Sequence, residues 1–257
     1  TIKELSVGEG YTSVISGSSE DGFKVTNARE PEKVNISGEK TWDDANNQDG
    51  KRPTKITVKL MKKVEGGQLV EAQRQEVTKG ADDKWKYEFK NLPKYENGKE
   101  ITYSIDEEDV PGYDKSITGN NIKNSHKPET VDVKGEKTWN DNNNQDGKRP
   151  ASVTIKLFAN GVETGDKLTL TKENGWKGSF DNLDEYKDGK KIDYSIEEED
   201  VGNGYAGFIT QPSETEFKII NTRQTEKVNI AGEKTWEDKD NQDGKRPTKI
   251  KVKLLKI

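Results

Sequence analysis

The stretch Val34-Asn35-Ile36-Ser37-Gly38-Glu39-Lys40-Thr41-Trp42 decides how this chain is read. Successive side chains of a strand point to opposite faces, so Val34, Ile36, Gly38, Lys40 and Trp42 point the same way. Three of these five are strongly apolar, which predicts that their face is the core and that Lys40 is aimed into it. A buried ammonium costs several kcal/mol unless it is paired or neutral, and buried lysines can drop to a pKa of about 5–6. Such a lysine is either a structural ion pair or a nucleophile. The stretch returns as Val131–Trp139 with Lys137 and as Val228–Trp236 with Lys234, each 97 residues after the last.

A repeat of 97 residues in a chain of 257 predicts two full domains, 31–127 and 128–224, between two partial ones, 1–30 and 225–257. Leu, Ile, Val and Phe make up about a fifth of the chain, and 35% of residues are charged. That composition borders on disorder, but the net charge is only −5 and the apolar residues alternate with period two. Thin-cored β domains with charged outer faces follow. There is no cysteine to reinforce them. No run approaches the roughly 20 apolar residues of a membrane span, and no signal peptide or sorting signal is present. The chain is therefore expected to be an internal piece of something longer, with no membrane contact in this segment. A weakly acidic balance without a basic patch speaks against nucleic acid.

Residues 1–4 and 23–27 are predicted strands around a turn at 8–11, and 28–33 a polar linker. The first full repeat continues through a polar loop from Asp43 to Arg52. Alternating strands follow at Ile56, Val58 and Leu60, at Trp85, Tyr87 and Phe89, at Ile101, Tyr103, Ile105 and Glu107, and at Ile122 and Asn124. Asn97-Gly98 marks a hairpin turn. The second repeat matches it element by element, with Val153, Ile155 and Leu157, then a hairpin turn at Asn160-Gly161, then Trp176 and Phe180, then Tyr194 to Glu198. The last residues restart the pattern and end on a strand of Ile250, Val252 and Leu254. Many short strands with turns between them and no helical period predict a β-sandwich. Asn27, Asn124 and Asn221 precede Lys40, Lys137 and Lys234 by 13 residues each, and so short and constant a junction predicts a stiff string of domains.

Three polar residues sit at inward parity in each full repeat: Lys40, Glu107 and Asn124, then Lys137, Glu198 and Asn221. They have the parts for an amide-forming reaction. A lysine desolvated in an apolar core becomes neutral and nucleophilic, and a carboxyl in such a core favours its protonated form and can polarise the asparagine carbonyl. Attack on that carbonyl expels ammonia and leaves a Lys–Asn isopeptide bond. A buried Lys–Glu ion pair with Asn as hydrogen-bond partner is the other reading of the same residues.

Gly38-Glu-Lys-Thr-Trp42, the loop Asp49-Gly-Lys-Arg-Pro53, Tyr103-Ser-Ile-x-Glu107 and the closing Ile122-x-Asn124 resemble the B-type repeat of collagen adhesins (Cna B-type) of Gram-positive bacteria. These motifs recur in order, and the resemblance spans essentially the whole chain. It implies an all-β chain of tandem immunoglobulin-like sandwiches, each of seven strands with the first and last as neighbours. It also implies bonds from Lys40 to Asn124, aided by Glu107, and from Lys137 to Asn221, aided by Glu198. The family stands as stalk and spacer modules in wall-anchored adhesins and pilins. An extracellular, cell-wall location is implied, with neighbouring repeats as partners and a host extracellular-matrix ligand reached through other parts of the parent protein. A single-turnover reaction on itself makes no enzyme, and neither cofactor nor metal is called for. In the partial repeats Glu4, Asn27 and Lys234 hold the equivalent positions and are expected to stay unbonded.

Other features weigh less. Asp44, Asn46, Asp49 and Gly50 resemble a calcium loop, as do Asp141, Asn143, Asp146 and Gly147, but they lack the closing glutamate and flanking helices of an EF-hand. They read as polar turns. Glu198 and Glu199 alternate in direction and cannot converge on a sugar as a glycosidase pair does. Trp42 and Trp139 share the core parity. His126 lacks metal-ligand company and reads as incidental. A module that grips a host-matrix protein is the alternative function, and an exposed apolar patch on one repeat alone would favour it.

Overall fold

The computed structural model describes residues 1–256, and Ile257 lies outside them. A hairpin of β1 (Thr12–Ser18) and β2 (Gly22–Ala28) comes first. The first sandwich is built from β3 (Lys33–Asp43), β4 (Lys55–Val64), β5 (Val70–Thr78), β6 (Trp85–Pro93), β7 (Tyr95–Glu96), β8 (Lys99–Glu107), β9 (Asp114–Thr118) and β10 (Asn121–Ser125). One sheet has the order β6-β3-β10-β9 and the other β5-β4-β8-β7. The second sandwich uses β11 (Thr130–Asn140), β12 (Ser152–Ala159), β13 (Val162–Thr171), β14 (Lys177–Asp184), β15 (Tyr186–Lys187), β16 (Lys190–Lys191), β17 (Tyr194–Glu198), β18 (Ala206–Ser213) and β19 (Glu216–Thr222). Its sheets run β14-β11-β19-β18 and β13-β12-β17, and β15 pairs with β16 alone. Setting the two-residue β7 aside, the first sandwich has seven strands, and the second has the same seven with the start of the β8 counterpart split off as β16.

Alternation in the sequence becomes burial in the structure. Ile56, Val58 and Leu60 from one sheet meet Trp85, Tyr87, Phe89 and Ile122 from the other in one core, with Val34, Ile36 and Trp42 packed against it. Val153, Ile155 and Leu157 meet Val133, Phe180 and Ile219 in the second. Asn97-Gly98 and Asn160-Gly161 both make two-residue turns with positive φ, where the backbone twist matches that of the flanking strands.

The first and last strands of each sandwich lie side by side and parallel. Lys40 is opposite Ile122 and Trp42 opposite Asn124. Lys137 is opposite Ile219 and Trp139 opposite Asn221. Lysine and asparagine therefore share a face, two residues apart on adjacent strands.

Three expectations need correction. Residues 1–4 form no strand, because β1 pairs only with β2 and offers them no partner. Among the described residues, 223–256 form no strand either, and Val228, Ile230, Val252 and Leu254 are exposed. Alternation alone cannot hold a strand whose backbone groups have no ladder to join. Trp176 sits not in β14 but in a left-handed turn just before it, at φ 61°, where its carbonyl accepts the Lys137 amide at 2.8 Å.

Candidate functional site: two buried Lys–Glu–Asn triads

β3 carries Lys40 inward, β8 carries Glu107 and β10 carries Asn124, all three essentially excluded from solvent. Lys40 Nζ lies 3.0 Å from Glu107 Oε1 and donates to Oε2 at 3.3 Å. It stands 4.3 Å above the Trp42 ring, which in turn packs edge-on against Trp85 and Tyr113. Burial pushes the Lys40 ammonium down to about 8, against the hydrogen bond and charge of Glu107, so the neutral amine is accessible near neutrality. Among the described residues neither Oδ1 nor Nδ2 of Asn124 has a hydrogen-bond partner. A fully buried carboxamide without partners costs about 1–3 kcal/mol.

The second triad repeats this arrangement with β11, β17 and β19. Lys137 Nζ is 3.4 Å from Glu198 Oε1 and 4.3 Å from the Trp139 ring, and burial again lowers its ammonium to about 8. Both side-chain atoms of Asn221 likewise lack partners.

The residue facing each asparagine from the outer strand differs. In the first sandwich it is Lys115, whose ammonium reaches the Glu107 carbonyl at 2.5 Å and Asp106 at 2.8 Å. In the second it is Gly207, and a Cβ there would meet Asn221 Oδ1 at 3.0 Å and Glu198 Oε2 at 3.1 Å. A surface cleft walled by Val201, Tyr205, Gly207 and Ile209 opens onto Glu198 and Asn221. The Glu198 side chain is accordingly 7% exposed, against 0% for Glu107.

The polar loops are more than solvent turns, each being tied down by a buried carboxylate. Ala45, Asn46 and Asn47 form a left-handed turn, with φ of 49°, 59° and 62°. Buried Asp44 holds it closed, accepting from the Asn47 amide, from Tyr113 and from both sides of the Arg52 guanidinium. Asp141, Arg149 and Tyr205 do the same in the second sandwich. Both oxygens of this carboxylate are thus engaged, by an arginine, a tyrosine and a backbone amide. His126 is also not incidental. Its Nε2 is 2.6 Å from buried Asp49, its Nδ1 is 2.8 Å from the Gly112 carbonyl, and its amide donates to Asp43. Arg223, 97 residues on, occupies the same place and pairs with Asp146. That recurrence at the repeat spacing was the overlooked signal in the sequence.

In the partial repeats Glu4 accepts from Asn27 at 2.9 Å and from Ser13, and these bonds hold its carboxyl below the usual range. Asn27 is exposed, and so is Lys234, which donates to the Thr235 carbonyl and stands over Trp236.

The Cna protein B-type domain family matches residues 36–125, 133–222 and 230–256. A collagen adhesin of Staphylococcus aureus is 40% identical over 255 residues, which is 99% of this chain and 21% of the adhesin. The chain thus spans about a fifth of that relative's length. The crystal structure of two B repeat units of the S. aureus collagen binding protein is 36% identical, covers 86% of this chain and 57% of that one, and superposes with a TM-score of 0.43. A single B repeat unit of the same protein is 38% identical, with 74% and 98% covered and a TM-score of 0.35. B-type repeats are structural, non-enzymatic domains. Motif order, parallel first and last strands and the family match together place this chain in the Cna protein B-type domain family.

Proposed function

We propose that residues 31–127 and 128–224 are stalk domains of a Gram-positive surface adhesin or pilin-like protein, each stapled by a self-formed isopeptide bond. The observation that carries this reading is the partnerless asparagine carboxamide buried on the same face as a lysine of lowered pKa, twice over. As an ion-pair accessory, Asn124 would be expected to hydrogen-bond the pair. As a substrate, it waits beside its nucleophile.

In the reaction neutral Lys40 Nζ attacks Cγ of Asn124 while Glu107 donates a hydrogen bond to Oδ1. Glu107 then relays the proton lost by Nζ to Nδ2, the Cγ–Nδ2 bond breaks, and ammonia leaves. One primary amine and one carboxamide become a secondary amide and ammonia, so each site turns over once. Lys137, Glu198 and Asn221 act in the same roles. The bond joins the first strand to the last across 84 residues in each repeat. Force entering at β3 leaves through β10 without loading the strands between.

Exposed large apolar side chains, such as Val70 and Ile117 in one sandwich and Val162 and Phe208 in the other, fall on different sheets. That favours a spacer over a module gripping a matrix ligand, and binding to host matrix belongs to other parts of the parent protein. Accurate intact mass tests the reading. The chain is expected to weigh less than its sequence by two ammonias, and each of Lys40→Ala, Glu107→Ala and Asn124→Ala to restore one. A mass equal to that of the sequence refutes the crosslinks.

A further inference from the structure

The cleft over the second triad has a chemistry of its own. It measures about 260 Å³ and is edged by four successive carboxylates, Glu197 to Asp200, with no lysine or arginine among its lining residues. One water needs only about 15 Å³, so a molecule of several heavy atoms fits. Lys167 holds Glu199 at 2.7 Å, and the Gly202 amide donates to Asp200 at 2.9 Å. Tyr205 commits its hydroxyl to Asp141 at 2.8 Å and adds an apolar wall.

At the base of the cleft two groups are unsatisfied. Glu198 Oε1 and both polar atoms of Asn221 have no hydrogen-bond partner among the described residues, although the Glu198 side chain is only 7% exposed and Asn221 is fully buried. An acid-lined opening above an unpartnered carboxyl oxygen and an unpartnered carboxamide suits a ligand that arrives as a cation and donates N–H inside. A primary amine is both. Lys137 Nζ already stands 4.3 Å from the Trp139 ring, a face that favours ammonium groups.

The first triad offers no such entry. Lys115 stands where Gly207 does, crosses to the Glu107 carbonyl, and sets a positive charge where a cation would come in.

We propose that the second triad is an acceptor site for small primary amines, which enter through the cleft and exchange with the amide nitrogen of Asn221. The proposal rests on Asn221 being the acceptor of the isopeptide bond. An incoming alkylammonium leaves its proton on the Glu198 carboxylate, which then hydrogen-bonds Asn221 Oδ1. The amine nitrogen bonds to Cγ. Glu198 gives its proton to Nδ2 as it takes one from that nitrogen, the Cγ–Nδ2 bond breaks, and ammonia leaves. One amine and one carboxamide become an N-alkyl amide and ammonia, with no change of oxidation state. Lys137, held beside the same carbon by its own chain, outcompetes a free amine, so the exchange shows when the lysine is removed.

The full chain with Lys137→Ala, incubated with methylamine, is expected to gain one methylene in mass, mapped to Asn221 by peptide sequencing. Labelling should run an order of magnitude faster than at Asn124 in Lys40→Ala. It should stop when Glu198→Gln is added, and should not occur with trimethylamine, whose nitrogen cannot form a neutral amide. Opening the first site, by Lys115→Gly in Lys40→Ala, should raise labelling of Asn124 several-fold, and this second pair decides the proposal if Lys137→Ala does not fold. Equal labelling of the two sites, labelling that survives Glu198→Gln, or no labelling in any of these variants beside a wild type that has lost two ammonias would each overturn it. A wild type at full sequence mass would instead remove the isopeptide reading, and this proposal with it.

Discussion

The two triads have the same three residues on the same three strands, yet only the first is sealed. Lys115 spans from the strand beside Asn124 to the Glu107 carbonyl, and Glu107 touches no solvent. Gly207 leaves a cleft at the same place, and Lys137 sits 3.4 Å from a slightly exposed Glu198 instead of 3.0 Å from a buried one. The proposed chemistry is set by inward positions on three strands. Access to it is set by a fourth strand that contributes nothing to the reaction.

The largest expected effect is common to both sites. In single-molecule pulling, each wild-type sandwich should extend almost not at all. Lys40→Ala and Lys137→Ala should each release about 280 Å, from 84 residues at about 3.3–3.6 Å each. Full-length unfolding steps in the wild type would refute the mechanical role of the bond.

Stability comes next and should separate the sites. Closing an 84-residue loop is worth about 4–5 kcal/mol by the chain-entropy formula for disulfides. Glu107→Ala removes that bond and leaves Lys40 unpaired in a sealed core, whereas Glu198→Ala leaves Lys137 beside the cleft. Calorimetry should therefore show the larger loss in melting temperature for Glu107→Ala. The reverse order would mean that sealing does not govern the cost.

Unreacted sites should reveal their lysines through pH. In Asn124→Ala, Lys40 stays an amine with a folded pKa near 8, below the roughly 10.4 of an unfolded lysine. Between those values the unfolded chain binds more protons, so stability rises with pH. The rise is at most about 1.4 kcal/mol per pH unit, is complete above the unfolded value, and is lost as pH falls through 8. Denaturant titrations at pH 7 and pH 10 should show it for Asn124→Ala and Asn221→Ala. On the proposed crosslinking the wild type has no free amine at either site and should lack it.

The smallest effect probes the cleft itself. Gly207→Ala places a methyl against Asn221 Oδ1 and Glu198 Oε2 and should slow bonding in the second sandwich a few-fold, leaving the first unchanged. Cell-free synthesis quenched at intervals and read by mass resolves the two ammonia losses. Unchanged timing would show that the carboxamide tolerates the crowding.

Much of the site was legible because strand alternation is a local property. Val34 to Trp42 indicates by parity alone that Lys40 faces inward, and the 97-residue recurrence extends that to Lys137. Legibility failed where the outcome depends on partners. Residues 1–4 and 250–254 alternate well and form no strand, since alternation says nothing about whether a ladder is available. Trp176 aligns with Trp85 but sits in a left-handed turn before β14, its carbonyl accepting the Lys137 amide. His126 looked isolated because Asp49 lies 77 residues away in sequence.

By itself, then, the sequence determined the strand period, the repeat, the turn positions and the inward set of Lys, Glu and Asn. Tertiary structure decided which of those groups acquire hydrogen-bond partners, what covers each triad, and how one loop joins two sandwiches. The reason is distance along the chain. Side-chain direction follows from the residue's own backbone, whereas the Lys115 seal, the partnerless Asn124 carboxamide and the hydrogen bond from the Gly189 amide to the Gln48 carbonyl, which joins the two sandwiches, arise only when segments remote in sequence are packed together.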